Sequence, residues 1–253
     1  MLGIANSIKS ETTPFENLFS LEFDGVNDYL DLGDTDDFSF GDGSSDTAFS
    51  FSIWCNSSDV TTTALLTKSG TASAEREYYL YIGGDDKLYF VLWDYSSGGY
   101  IYSRTNATLT STQGSWTHIV VTYDGSGANT GQTIYLNNVS QAVTRVAAGS
   151  GTYVAMENTA YPLKIGSLLT GNFFTGDLDE VSMWSKELTS DEVGVYFNDG
   201  IPTDLSGASG LIGWWRMGDT AISLTIPDAS TNSNSGAMRN MSSDDITTDV
   251  PPS

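Results

Sequence analysis

The stretch Phe173-Phe174-Thr175-Gly176-Asp177-Leu178-Asp179-Glu180-Val181-Ser182-Met183-Trp184 decides the fold more than any other part of the chain. Leu178, Val181 and Trp184 are side chains that a buried strand wants. Asp177, Asp179 and Glu180 set carboxylates among them that an ordinary core strand has no use for. Something else in the protein therefore requires negative charge at this place. The next residues, Ser185-Lys186-Glu187-Leu188-Thr189-Ser190-Asp191-Glu192-Val193, open a helix, with Thr189 or Ser190 as N-cap and acidic residues in the first turn. A strand thus runs into a short helix near the carboxyl end of a β-rich chain.

Working outward, three segments stand before this stretch in fixed order: Phe-Asp-Gly-Val-Asn-Asp-Tyr-Leu-Asp-Leu from Phe23 to Leu32, Phe-Ser-Phe-Ser-Ile-Trp from Phe49 to Trp54, and Trp-Thr-His-Ile-Val-Val-Thr-Tyr-Asp-Gly from Trp116 to Gly125. After it come Gly-Trp-Trp-Arg-Met-Gly-Asp from Gly213 to Asp219 and the polar run Asp228 to Gly236. Together these segments resemble the laminin G-like family of the concanavalin A-like lectin/glucanase superfamily, over about residues 21–240. The resemblance implies an all-β fold, a jelly-roll β-sandwich of two antiparallel sheets. Outside the sandwich (21–240), residues 1–20, with little apolar periodicity and Pro14, read as an N-terminal arm, and the polar residues 241–253 as a C-terminal tail, whose last ten or so residues are expected to be mobile or held by a partner.

The residues agree with that class. A chain of 253 residues buries a large core without staples. Phe49, Phe51 and Ile53 alternate with Ser50, Ser52 and Trp54, the period of a half-buried strand. Leu21–Phe23 and Tyr29–Leu32 read as a hairpin about an Asp/Gly/Asn turn, and Gln132–Leu136 with Val139–Val146 as another about Asn137-Asn138. The strand from Trp116 to Tyr123 is apolar on both faces, and its His118, the only histidine, is expected to be a satisfied core residue. Cys55, the only cysteine, excludes an intrachain disulfide and is expected to pack as a small apolar side chain.

Charge excludes some partners. Ten Lys and Arg against 32 Asp and Glu give a formal net charge of −22, which repels phosphate backbones and anionic lipid surfaces, so nucleic acid is not an expected partner. No run approaches the roughly 18 apolar residues of a membrane span, so membrane insertion is not expected either. The amino end lacks a basic region followed by an apolar stretch, so no secretory signal is read there.

Two candidate sites emerge. Alternation puts Tyr79 and Tyr81, Tyr89 and Trp93, and Tyr100 and Tyr102 each on one face of three successive strands. In an antiparallel meander these six rings form one aromatic surface, suited either to stacking sugar rings or to packing against a loop or neighbouring subunit. The second candidate comes from the resemblance, which implies a calcium ion shared by Asp24 and Asp179, with Asn27 and Asp28 as further ligands. Aspartate and asparagine oxygens are the ligands a hard cation takes, and capping of turn amides is the alternative use of the same groups.

No catalytic arrangement is read: the closest run to the acidic pattern of retaining glucanases, Asp177-Leu178-Asp179-Glu180, lacks its first glutamate. The expected function is that of a non-catalytic binding or structural module. Strongly acidic, free-standing laminin G-like chains are similar to those of tailed phages, which implies a virion-surface protein made in a host cytoplasm. It would decorate a capsid or fibre, contact other virion proteins or copies of itself, and touch cell-surface glycans in adhesion. The alternatives are an extracellular bacterial surface carbohydrate-binding protein and a glycoside hydrolase of the same fold.

Overall fold

The computed structural model describes residues 15–168 and 171–252. Its strands, in chain order, are β1 (Ser20–Asp24), β2 (Tyr29–Gly33), β3 (Phe49–Ser57), β4 (Thr63–Ser69), β5 (Arg76–Ile82), β6 (Leu88–Asp94), β7 (Gly99–Thr105), β8 (Thr117–Tyr123), β9 (Gln132–Leu136), β10 (Val139–Ser140), β11 (Val143–Gly149), β12 (Leu163–Ile165), β13 (Ser167–Leu168), β14 (Asn172–Phe173), β15 (Thr175–Trp184), β16 (Leu211–Trp215), β17 (Thr225–Ile226), β18 (Gly236–Arg239) and β19 (Ile246–Thr247). The helix α1 is Ser190–Phe197, capped by Thr189, whose hydroxyl accepts from Glu192 N while the Glu192 carboxylate accepts from Thr189 N.

Among the described residues these strands make two large antiparallel sheets, the expected sandwich. One has eight strands in the order β10-β9-β8-β3-β15-β1-β19, with β16 also on β15; the other has nine, in the order β11-β7-β6-β5-β4-β12-β2-β18-β17. The inward residues of each strand meet in one core, where Phe40, Phe49, Phe51, Tyr78 and Phe90 pack ring against ring.

One expected hairpin is corrected and another is shortened. β1 and β2 lie in different sheets, so residues 24–28 form a corner rather than a hairpin turn. Gly25 takes φ +75 there, Asp24 accepts from the amides of Val26 and Asn27, and Asp28 accepts from Asp24 N. Alternation marks which residues face inward but not which sheet a strand joins, and Phe23 and Leu30 reach the same core from opposite sides. The Asn137-Asn138 hairpin forms but is short: β9, paired with β8 on its other edge, meets only the two-residue β10 across the turn, after which the chain crosses over and β11 pairs with β7.

The tail is corrected too. β19 pairs with the edge of β1, Ser20 Oγ donates to Asp249 O, and Trp116 Nε1 donates to Asp249 at 2.9 Å, so this chain itself holds the end that was expected to be mobile or held by a partner. Of the expected arm, residues 1–14 lie outside the described residues. Phe15 stacks on Trp214, and Ser20 begins β1.

The two outer faces are treated differently. The eight-stranded sheet is roofed by α1 and the segment around it. Ser50 Oγ donates to Lys186 O, Trp54, His118 and Phe197 stack on one another, and Trp184, Leu188, Val193, Leu205 and Trp214 form a second small core. No helix covers the outer face of β5, β6 and β7 among the described residues, and that is where the sequence has placed its rings.

Candidate functional site

The meander β5-β6-β7 pairs Tyr81 with Tyr89, Tyr89 with Arg104, Val91 with Tyr102 and Trp93 with Tyr100. This register brings all six expected rings onto one surface. Tyr79 lies 5.6 Å from Tyr81, Tyr81 4.9 Å from Tyr89, Tyr89 5.5 Å from Tyr102 and Tyr100 6.3 Å from Tyr102; Trp93 and Tyr100 stack at 4.6 Å, nearly parallel. Each ring is half-buried, with its base seated in the sheet and its remainder bordering solvent. The six rings and Val91 line a hollow of about 300 Å³. A second hollow of about 190 Å³ adjoins it, sharing Tyr79 and Tyr81 and completed by Ser69, Arg76 and Leu168.

Burial pushes the Tyr79 phenol up to about 12 and raises those of Tyr81 and Tyr89 as well, so the face carries neutral hydroxyls at physiological pH. Tyr89 donates to Asp85, which also pairs with Arg104 at 2.5 Å. The remainder is a broad apolar surface with polar tips, the combination that rings of alternating C–H and O–H groups complement.

Sequence reasoning missed Arg76 and Arg104 here. Arg104 was legible, since it continues the alternation of Tyr100 and Tyr102. Arg76 was hidden because the β4–β5 register slips between the pairs Lys68–Tyr78 and Ser69–Arg76, which turns Arg76 rather than Glu77 over the Trp93 ring, 4.8 Å from its centre. Glu77 is instead buried beside Lys68 at 3.1 Å, and Lys68 Nζ also bonds Asp34 and the carbonyls of Thr159 and Tyr161. This ion group ties the 153–162 segment to the sheet that carries the rings.

The four expected calcium ligands are not brought together. Asp24, Asn27 and Asp28 share one corner, where Asp24 is spent on two turn amides. These amide bonds outweigh the upward effect of burial and hold its carboxyl below the usual range, whereas burial lifts Asp28 to about 6. β1 pairs Asp24 with Thr175, so Asp179 stands four residues further along β15, about 13 Å away at ~3.3 Å per residue. Asp179 is fully buried and accepts from Asn17 Nδ2 and Glu180 N. Among the described residues no group of three or more His, Cys, Asp or Glu side chains is placed to hold a metal ion. The residues do not fit the shared ion that the resemblance implied.

The acidic stretch has another purpose. β15 is flanked along one edge first by β1, up to Leu178, and then by β16, from Val181. At the seam between them the strand bulges and Glu180 takes φ +47. Glu180 accepts from Trp214 Nε1 at 2.5 Å and Arg216 Nε at 3.1 Å, while Arg216 also bonds Asp219 and Glu16 O. Burial raises Glu180 to about 7 against the pull of Arg216, and raises Asp179, which has no cation partner, well above the usual carboxylate range, with the Glu180 charge adding to it. The two carboxyls lock the residues before β1 to those after β16. His118 is a core residue bonded to Ser52, driven down to about 3 by burial.

A laminin G family model described as "Concanavalin A-like lectin/glucanases superfamily" matches residues 24–194. No curated protein matches the sequence. Among solved structures, a candidate carbohydrate binding protein from Bacteroides ovatus is 18% identical with a TM-score of 0.64, covering 96% of this chain. This chain spans 63% of that protein's length. The CBM40 of a Ruminococcus gnavus IT-sialidase is 12% identical, covering 69% of this chain and 94% of its own, with a TM-score of 0.48. A SAP-like pentraxin from Limulus polyphemus is 15% identical, with coverages of 71% and 82% and a TM-score of 0.46. At these identities the likenesses concern the fold alone.

Proposed function

This chain belongs to the concanavalin A-like lectin/glucanase superfamily, and from that premise we propose that it is a non-catalytic carbohydrate-binding module whose ligand lies on the outer face of β5, β6 and β7. One observation carries the reading: six half-buried aromatic rings converge on an open sheet face whose counterpart on the other sheet is roofed by α1. Stiff rings offer apolar area at small entropic cost, and their neutral hydroxyls supply hydrogen bonds to sugar oxygens. The Bacteroides ovatus protein, whose fold the chain shares over most of its length, supports the same class of ligand.

The test is a glycan array with the intact protein and with Tyr81→Ala and Tyr102→Ala, each checked for folding by its thermal midpoint. Truncating one ring should cost about 1–2 kcal/mol, a loss of roughly five- to thirtyfold in affinity. A glycan bound equally by both variants would move the site elsewhere. No glycan bound at all would leave the face as a protein interface.

Display on a virus particle, beside other virion proteins or copies of this chain, is a separate proposal and rests on the sequence resemblance. No helix among the described residues is long and apolar enough to cross a membrane. Detection of the protein in purified particles by mass spectrometry, or its absence from them, decides that placement. An extracellular surface protein using the same aromatic face is the alternative.

A further inference from the structure

Resting on the aromatic face as the sugar site, we propose that its ligand is an acidic glycan, with a sugar carboxylate held by Arg76 and Tyr79 in the smaller hollow. In a chain with 32 acidic and 10 basic residues, a basic side chain without an acidic partner stands out. Lys68, Lys87, Arg104, Lys186, Arg216 and Arg239 each have a carboxylate within 4.0 Å. Among the described residues Arg76, Arg145 and Lys164 have none; Arg145 is spent on the carbonyls of Asn129 and Gln132 and Lys164 on the Tyr161 hydroxyl and the Tyr29 and Tyr161 rings, whereas Arg76 lines a hollow. Its guanidinium lies over Trp93 and makes one hydrogen bond, from Nη2 to the exposed Thr71 carbonyl at 3.2 Å. The rest of its donor fork borders the hollow that it lines with Ser69, Tyr79, Tyr81 and Leu168.

Tyr79 faces the same space. Both side chains line this hollow, and the Arg76 charge acts on the Tyr79 phenol, opposing the larger effect of burial. A planar cation and a neutral O–H converging on a small hollow match a carboxylate, which accepts from both. The larger hollow next door then takes the apolar face of a neighbouring sugar ring on Tyr81, Tyr89 and Tyr102.

The net charge of −22 does not oppose this at contact distance. The Debye length at physiological salt is about 8 Å, so remote carboxylates are screened. The nearby Asp85 is already paired with Arg104 and lies 4.0 Å from Lys87. The surrounding acidity instead selects against polyanions that would touch the surface widely, leaving short oligosaccharides with a carboxylate at one position.

The experiment is calorimetric titration of uronate-containing oligosaccharides, each beside its own methyl ester, which keeps the shape and removes the charge. Wild-type protein should bind the acid about ten- to a hundredfold more tightly than the ester, the range of a charge-assisted hydrogen bond. Arg76→Gln should bring the two within about twofold while ester binding persists. Equal binding of acid and ester by wild type, or a preference that survives Arg76→Gln, overturns the inference and leaves sugar binding standing. Binding of neither, on this panel and on the array, brings down the sugar-binding reading together with it.

Discussion

Glu180 occupies the left-handed region, φ +47, inside a strand, a conformation that costs a residue with a Cβ about 1–2 kcal/mol and glycine almost nothing. Replacing it by alanine or by glycine removes the same contacts. In both variants Trp214 Nε1 is left as a buried donor without its acceptor, at about 1–3 kcal/mol, and Arg216 keeps only Asp219 and Glu16 O. Both should therefore be about 2–4 kcal/mol less stable than wild type. They differ in the backbone. Glycine gains flexibility in the unfolded chain, worth about 0.4–1 kcal/mol against it, but escapes the larger left-handed penalty. Glu180→Gly should consequently be about 0.5–1 kcal/mol more stable than Glu180→Ala, the reverse of their usual order in a strand. Urea unfolding followed by tryptophan fluorescence, with equal m-values, reads the difference directly. A glycine variant that unfolds at or below the alanine midpoint would refute the argument that the seam is held in a strained backbone.

Stability as a whole should fall as pH rises from about 4 to about 7. Burial raises Asp28 and Asp177 to about 6 and Glu180 to about 7, so over that range the folded state holds more protons than the unfolded one. The contribution of these groups is complete below their unfolded values and is lost as pH passes through the folded ones. A urea midpoint that rises between pH 5 and pH 8 would contradict this. Lys68→Met should destabilise by about 3–5 kcal/mol at neutral pH, because it leaves the buried Glu77 carboxylate uncompensated. Burial already raises Glu77, and without its cation it rises further, so the loss should shrink towards pH 4, and a pH-independent loss would count against it. Cys55 is 4% exposed and burial lifts its thiol to about 12, so a thiol reagent should modify it only at the rate of unfolding; rapid labelling of native protein would contradict the packing described.

Several of these features could be read from the sequence alone. The 173–184 stretch, the N-cap at Thr189 and the alternation of Tyr79 to Tyr102 are local patterns, and local patterns survive into the fold. The aromatic face was legible because three consecutive strands joined by short turns pair with one another. What failed was non-local. Nothing in the Phe23–Leu32 segment says that β1 and β2 part into different sheets, and nothing in residues 132–149 says that the chain changes sheets after Ser140. The carboxylates at 179 and 180 were correctly felt to answer a need, but their partners, Asn17, Trp214 and Arg216, come from two other parts of the chain. A bulge of one residue was enough to conceal Arg76, since it reverses the face that alternation assigns.

β1 lies between β15 and β19, so the strand that starts at residue 20 finds its neighbours only at residues 175–178 and 246–247. During synthesis, therefore, the first strand leaves the ribosome long before either flank exists. Its unpaired amides and its Leu21 and Phe23 side chains stay open to other chains until the last strand has emerged. Production of this protein is then limited by waiting time rather than by final stability: slower initiation, lower temperature or a chaperone that shields the early strand should raise the soluble yield, whereas stabilising substitutions in the finished core should barely change it.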